Sequence, residues 1–170
     1  MEHRLWMENL FEAVSQMGDE GRAAVEYVRI HKTKIGFKRV RSSVGAYWTV
    51  FGNIRLNSRY YTYETQLDDL RIKTLLIHEA RHLQQGLMTA LSVYGELDAW
   101  QLEFAVYHRI RGRYPHPAIA ELMALPLDYD RQVLRKAAQL MQAYAGKGYR
   151  ADLLPLFPWK RELRYWLMRQ

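Results

Sequence analysis

The stretch that most constrains this chain is LLIHEARHLQQG, in which His78 and His82 stand four positions apart and Glu79 follows the first histidine. Residues four apart lie on one face of an α-helix, so a helix here presents both imidazoles to a single point. Glu79 is rotated from His78 by about 100° and therefore stands beside that point rather than on it. The apolar residues 75–77 predict that one side of the helix is buried, and burying these polar groups without a partner is costly.

The HExxH spacing also has a chemical interpretation, which is that of a zinc site with a general base beside it. Zinc bound by two histidines takes at least one further protein ligand and leaves one tetrahedral position for water. A carboxylate beside the metal can accept a proton from that water. Such a string arises by chance about 0.01 times in a chain of this composition, if positions are independent. The stretch therefore predicts Zn²⁺ held by His78 and His82, with Glu79 as the general base.

A third ligand is expected downstream of the motif. The extension HExxHxxGxxH is absent, because Gln85 and Met88 occupy the positions that it would need. The next predicted helix contains VYGELDAWQLEFA and supplies three acids: Glu96, Asp98 and Glu103. The third ligand should therefore be a carboxylate of this second helix.

Helix geometry narrows the choice among these acids. Glu96 and Asp98 are separated by about 200° around the helix, so only one of the two can face the metal. Glu96 is the preferred ligand, because the small Ala99 one turn on lets the two helices approach closely, and Asp98 is the alternative. Glu103 lies two turns from Glu96 on the same face. It can accept a hydrogen bond from the second nitrogen of a ligand histidine, or it can be an ordinary ion-paired or solvent-facing carboxylate.

These motifs together resemble a known family. HEARH followed, 14 residues after its second histidine, by Glu96-Leu97-Asp98-Ala99 resembles the gluzincin branch of the zincin metallopeptidases. The resemblance spans about residues 45–107 and implies that Glu96, in a Glu-x-x-Ala element, is the third zinc ligand. The sequence departs from the family at Trp100, where several gluzincin families have an aspartate. No residue of this chain is therefore assigned the role of that aspartate.

The resemblance also extends to a strand before the motif. The strand-like NIRLN resembles the edge strand that lies along the substrate cleft in these enzymes. It implies that an extended peptide pairs by β-addition with the segment made of Ile54, Arg55 and Leu56. A donor for the developing oxyanion is not identified, although five residues are candidates by type: Tyr60, Tyr61, Tyr94, Tyr107 and His108.

Hydrophobic periodicity predicts helices on both sides of a short β segment. The predicted helices cover residues 2–17, 20–30, 66–85, 92–111, 118–124 and 130–145, with a last one after Pro158. Between Lys34 and Asn57 the β-branched and aromatic residues predict two or three antiparallel strands, with a two-residue hairpin turn through Gly52-Asn53. The predicted fold is α+β, mostly helical, with a small antiparallel sheet packed on the HExxH helix in a zincin-like manner. No linker divides the chain, so a single domain over residues 1–170 is expected, with its core at about 45–107.

Composition limits the compartment and the partners. The chain has no cysteine, which excludes disulfides and thiolate zinc ligands. No apolar stretch approaches the ~18 residues of a membrane helix, and the N-terminus lacks a secretory signal pattern. We therefore expect a soluble cytoplasmic protein with no membrane partner. The remaining histidines (His3, His31 and His116) are expected at the surface, and the tail aromatics (Phe157, Trp159, Tyr165 and Trp166) are expected to pack on the body.

The net charge of +7 raises a second possibility. Much of it lies in HKTKIGFKRVR, residues 31–41, and in the tail WKRELRYWLMRQ, residues 159–170. Such residues commonly cover a strand edge or a solvated helix face, and no nucleic-acid-binding motif accompanies them. The sequence thus predicts a zinc metallopeptidase acting on a peptide or protein. The alternative is a non-catalytic zinc-binding or basic-surface module that binds nucleic acid or a partner protein, but a purely structural zinc site would not need Glu79.

Overall fold

The structure, a computed structural model, describes residues 2–146 and 148–168. Its elements, in chain order, are the helices α1 (Glu2–Ser15) and α2 (Asp19–Ile30), the strands β1 (Ile35–Lys38), β2 (Ala46–Trp48) and β3 (Ile54–Asn57), and the helices α3 (Leu70–Gln85), α4 (Leu87–Ala90), α5 (Val93–Arg111), α6 (Pro117–Met123), α7 (Arg131–Ala145) and α8 (Trp159–Leu167), with a short 3₁₀ turn at Ala151–Leu153. The predicted α+β class, mostly helical with a small sheet, is confirmed.

The sheet is mixed rather than antiparallel, which corrects the prediction. Its strand order is β1-β3-β2, with β1 parallel and β2 antiparallel to β3. The buried Asn57 stabilises the loop that carries the chain from one edge to the other, because its side-chain amide donates to Arg41 O at 3.1 Å and to Val44 O at 2.6 Å. An alternating apolar and polar pattern predicts a strand but not which strands pair with it. The path of this loop therefore determines the order of the strands in the sheet.

The hairpin between β2 and β3 has a longer loop than predicted. Residues 49–53 connect the strands, with Thr49 N donating to Asn53 O and Gly52 N donating to Thr49 O, both at 2.8 Å. Gly52 has φ +71°, a left-handed conformation that glycine adopts without strain. The predicted Gly-Asn turn therefore forms one side of a five-residue loop.

The prediction that Ile54, Arg55 and Leu56 form an edge strand is wrong. They belong to β3, the middle strand, whose two edges pair with β1 and β2. Ile54 and Leu56 are both 0% exposed and contribute to the core under α3. A peptide cannot add to this strand, because its backbone N–H and C=O groups already face two neighbours.

A close backbone contact between α4 and α5 helps to position the second helix of the site. Asp69 caps the start of α3 by accepting from Arg71 N at 2.9 Å, and Gly86, with φ +75°, ends the helix as predicted. The short α4 follows, and α5 then packs so tightly against it that a Cβ on Gly95 would lie 2.1 Å from Thr89 O. This contact fixes the position of the next residue, Glu96.

The core consists of two hydrophobic clusters. One lies among α1, α2, the sheet and α3, and the other lies among α5, α6, α7 and the 3₁₀ turn. Helix α5 contributes to both, with Val106 in the first and Leu97 and Trp100 in the second. Because α5 also packs along α3, the site between these two helices has a packed cluster on each side.

The C-terminal aromatic residues divide into two groups. Phe157 is buried and Tyr165 is half-buried, whereas Trp159 and Trp166 are each 55% exposed. The prediction that these side chains pack on the body is therefore wrong for both tryptophans. The last two residues of the basic tail, 169 and 170, lie outside the described residues. Within the described part of the chain, no helix is both long enough and apolar enough to cross a membrane.

Candidate metal centre

Helix α3 presents His78 and His82 on one face and buries them. Its opposite side carries Leu76, Ile77 and Ala80 in the first core cluster. Because the helix is packed there, His78, Glu79 and His82 are themselves buried and held in place. The sequence LLIHEARH thus produces a rigid polar face inside the protein, as its pattern predicted.

The two imidazoles and the Glu96 carboxylate converge on one point. The Nε2 atoms of His78 and His82 are 3.0 Å apart. Glu96 Oε1 lies 3.5 Å from His82 Nε2, and Glu96 Oε2 lies 3.9 Å from His78 Nε2. One ligand atom from each of the three residues falls within 4.8 Å of the others, so the group could hold a metal ion.

The other nitrogen of each imidazole faces an oxygen acceptor. His78 Nδ1 lies 3.0 Å from Glu103 Oε2, within ion-pair distance, but the two atoms are not aligned as a hydrogen bond. His82 Nδ1 lies 3.2 Å from Gln85 Oε1, and the Gln85 amide nitrogen donates to Gly95 O at 2.9 Å, which fixes the amide orientation. Protons on both Nδ1 atoms would leave the Nε2 atoms of neutral rings free to bind a metal. In the metal-free site the two Nε2 atoms instead form a hydrogen bond, which needs one proton between them. Glu103 lies beside the second nitrogen of His78 as a charged neighbour, and it combines features of the two roles considered for it.

The pKa values of the metal-free site are shifted because two imidazoles and several carboxylates lie close together. Burial opposes charge on His78, but its contact with Glu103 and the nearby carboxylates raise its pKa to about 9. Burial also opposes charge on Glu96, but the neighbouring His82 and His78 and the Tyr149 hydroxyl lower its pKa to about 2. The site therefore favours a positive charge between the rings and an ionised Glu96.

Glu79 stands beside the convergence point, as the helical offset predicts. It is buried, and its Oε2 atom has no hydrogen-bond partner among the described residues. Burial raises the pKa of this carboxyl, and the charges of the two histidines oppose the shift. A buried oxygen without a partner is uncommon in proteins, so this atom points to a ligand or to chemistry at the site.

Asp98, the alternative ligand, is directed away from the histidines. Arg81 donates to it through Nε at 2.8 Å and Nη2 at 3.2 Å, and Gln85 Nε2 donates to it at 2.7 Å. Arg81 of α3 thus pairs across to α5 rather than within its own helix. The two helices are thus joined by this ion pair on one side and by the Glu96 group on the other.

Sequence reasoning missed Tyr149, which contacts the Glu96 carboxylate directly. The Tyr149 hydroxyl donates to Glu96 Oε2 in a short hydrogen bond, and Trp100 Nε1 donates to the Tyr149 hydroxyl at 3.0 Å and to Glu96 Oε2 at 3.3 Å. Trp100 and Tyr149 are 49 positions apart, and no periodicity links them. The one signal in the sequence was Trp100 itself, which lies one helical turn from Glu96 and carries an indole N–H that needs an acceptor when it is buried.

Tyr149 reaches the site because its segment crosses close to the loop before β2. A Cβ on Gly148 would lie 2.5 Å from Ser43 Oγ, so only glycine allows this approach without displacing the serine. Burial and the negative charge of Glu96 raise the pKa of Tyr149 well above its usual value. Its hydroxyl therefore remains protonated and serves as a donor.

A cleft of about 470 Å³ opens over the group. Its walls include β2, Leu75 of α3 and the segment with Tyr149. Of the five oxyanion candidates named from the sequence, Tyr61 lines this cleft, and burial raises its pKa to about 12. Tyr60 donates to Ser42 O at 2.7 Å, and His108 stacks on Tyr114. The other two candidates, Tyr94 and Tyr107, are also absent from the lining.

The remaining histidines take structural positions. His31 is exposed and stacks on Tyr27, and His3 is exposed and packs edge-on to Tyr63. His116 caps α6 by accepting from Ala118 N at 3.1 Å. None of the three takes part in the group of metal-ligating side chains found in the described residues.

Comparison of the chain with protein-family models, with curated proteins and with solved structures finds no match. The chemistry of this protein must therefore be argued from the site itself.

Proposed function

We propose that this protein is a zinc-dependent peptidase whose metal is held by His78, His82 and Glu96. The observation that carries the proposal is the pair of Nε2 atoms 3.0 Å apart beside a carboxylate. In the metal-free site these two atoms form a hydrogen bond that shares one proton, and a divalent ion bound there would replace that proton between the rings. Two imidazoles and one carboxylate form a ligand set typical of catalytic zinc.

The surrounding residues fit a bound divalent ion. Glu103 and Gln85 orient the two imidazoles through Nδ1, as carboxylates and amides do around metal-ligating histidines. Tyr149 and Trp100 hold one oxygen of Glu96 and leave the other free to face the histidines. Every proposed ligand thus has an orienting neighbour.

Catalysis is assigned to groups of the chain around this centre. Zinc bound there would act as a Lewis acid, lowering the pKa of water and polarising a peptide carbonyl. Glu79, with one buried oxygen lacking a partner, would accept the proton of the attacking water and deliver it to the leaving amine. The surrounding apolar walls would keep bulk water away from this transfer.

An extended peptide substrate would pair with the edge strand β2 rather than with the central strand β3. Gly45 O accepts from Asn57 N and Thr49 N donates to Asn53 O, so Tyr47 between them is the hydrogen-bonded partner of Arg55. By antiparallel alternation, the N–H and C=O groups of Ala46 and Trp48 point away from β3 toward the open edge. Because β2 also lines the cleft, an extended peptide would pair with these groups.

The alternative, a non-catalytic module, is less well supported. A metal that only stabilises the fold requires ligands but no unpaired buried acid, and Glu79 is such an acid. The basic surface residues remain compatible with nucleic-acid binding, which would weaken steeply with salt. Hydrolysis and salt-dependent binding are measured independently, so the two functions can be separated.

The direct test measures the zinc content of the protein and its hydrolysis of peptides. We expect the purified chain to bind about one zinc, the number that one set of three protein ligands supports. Hydrolysis of a peptide library should disappear when a chelator removes the metal and return when zinc is added, with cleavage products identified by mass spectrometry. Zinc binding at this stoichiometry with no cleavage of any peptide would contradict the peptidase and favour the non-catalytic module.

A second prediction concerns Tyr149. Replacing Tyr149 by phenylalanine removes the hydroxyl that contacts Glu96 but keeps the ring, so zinc affinity should fall by about 10- to 100-fold, as for other outer-sphere partners. Competition with a chromophoric chelator measures the affinity. Tyr144→Phe is the matched control, since Tyr144 lines the same cleft and no hydrogen bond joins it to Glu96 in the described residues. Equal losses in the two variants would argue against an orienting role.

A further inference from the structure

The C-terminal helix α8 exposes its apolar face. Trp159, Leu163, Trp166 and Leu167 follow the spacing of a single helix face, and each is more than half exposed. No residue of α8 is buried. An amphipathic helix normally turns such a face to the core, so its outward orientation requires a partner outside the described residues.

Helix α4 extends this apolar surface. Leu87, Met88 and Leu91 are all exposed and, with Pro155 and most of the α8 face, line a groove of about 750 Å³. We call this combined surface of α4 and α8 the α4–α8 patch. Leu91 also lines the cleft above the metal centre, so the cleft opens beside the patch.

Polar contacts hold α8 in this orientation. Glu162 Oε2 accepts from Phe157 N at 3.1 Å, and Glu162 Oε1 pairs with Arg131 Nη1 at 3.2 Å. The guanidinium of Arg161 lies 3.9 Å from the ring centroid of Tyr129. These contacts lie on the side of α8 that faces the body, so its outward face is fixed rather than free to rotate inward.

The border of the patch is basic. Lys160 and Arg164 are exposed on α8 beside its apolar face, whereas Arg161 packs on Tyr129, and Glu162, the one acidic residue of the helix, lines the groove and pairs with Arg131. A helix with Trp and Leu on one face and Lys and Arg on the other has the composition of helices that lie in the membrane interface. Tryptophan prefers this interface, and basic side chains beside it can reach lipid phosphates.

We propose that the α4–α8 patch docks the protein on an anionic lipid bilayer. Such a surface complements both features at once, since its acyl boundary accepts the apolar side chains and its headgroups accept the basic ones. A second copy of the chain would cover the apolar face but would bring two basic borders together. The lack of a membrane-crossing helix, on which the expectation of no membrane partner rested, does not bear on surface binding. The inference does not depend on the proposed function.

The test uses the full chain and sedimentation with unilamellar vesicles. Wild type should bind vesicles that contain phosphatidylglycerol more tightly than vesicles of phosphatidylcholine alone, and binding should weaken as salt rises. Leu163→Glu should weaken binding by at least about tenfold, because it puts a charge on the inserted face. Leu5→Glu is the matched control: Leu5 on α1 is 63% exposed and Leu163 is 61% exposed, so each change adds one charge at a similarly open site.

A charge-reversal pair tests the basic border separately. Arg164→Glu should weaken binding to anionic vesicles by about tenfold or more, whereas Arg4→Glu on the exposed side of α1 should change it far less. Failure of wild type to bind anionic vesicles at low salt would overturn the proposal. Equal losses within both pairs would also overturn it, because binding would then follow net charge alone. A dimer that Leu163→Glu dissociates, without vesicle binding, would assign the patch to a second copy instead.

Discussion

Replacing Glu79 by glutamine should reduce peptide hydrolysis by about 10³-fold, within the range for losing a general base. The amide has nearly the same shape as the carboxyl but cannot accept the proton of the attacking water. Because Glu79 lies beside the three proposed ligands rather than among them, the variant should still bind about one zinc. The expected result is therefore a loss of turnover with no loss of metal.

Three measurements on the same preparation test this expectation: zinc content, cleavage rate and thermal unfolding midpoint. Burial raises the pKa of Glu79 and so disfavours its charged form, and a neutral amide should not lower the unfolding midpoint. Glu26→Gln, at an exposed position of α2, is the matched control and should leave all three values unchanged. A Glu79→Gln variant that retains full activity would remove the proton acceptor from the mechanism.

Replacing Glu96 by glutamine should lower zinc affinity by more than about 100-fold. Loss of an outer-sphere partner already costs about 10- to 100-fold, and Glu96 is proposed to bind the metal directly. Its carboxylate is the group that lies 3.5 Å from His82 Nε2. Without it, the two imidazoles lack the anionic ligand that completes the set.

The matched variant is Asp98→Asn, two positions along the same helix. Asp98 pairs with Arg81 and not with the histidines, so this change should leave zinc affinity within a few-fold and instead destabilise the contact between α3 and α5. Chelator competition gives the affinities, and chemical denaturation gives the free energies of unfolding. If Asp98→Asn lost zinc and Glu96→Gln kept it, the assignment of the third ligand would be reversed.

Much of the site could be predicted because its geometry is local. His78 and His82 lie one helical turn apart, so any helix through LLIHEARHLQQG places them together. Helical angles showed that only one of Glu96 and Asp98 can face the histidines, and the small Ala99 favoured Glu96. The Arg81–Asp98 ion pair supplies a physical reason for that choice. Glu103 could be named because it lies two turns from Glu96 on the same helix.

The parts that could not be predicted depend on distant segments. Whether β3 is a central or an edge strand depends on the path of residues 39–45, which the buried Asn57 side chain stabilises. Tyr149 contacts Glu96 across 53 positions, through a segment that approaches Ser43 closely. The outward orientation of Trp159 and Trp166 depends on which side of α8 the Glu162 contacts hold against the body.

The sequence alone therefore determined the helices other than α4, the α+β class and the face on which the two histidines and Glu79 stand, because these follow from backbone periodicity within a few turns. The tertiary structure decided which side chains contact the candidate ligands, which strand lines the cleft and which face of α8 is exposed. Those features arise from contacts between residues far apart in the chain, and no local pattern encodes such contacts.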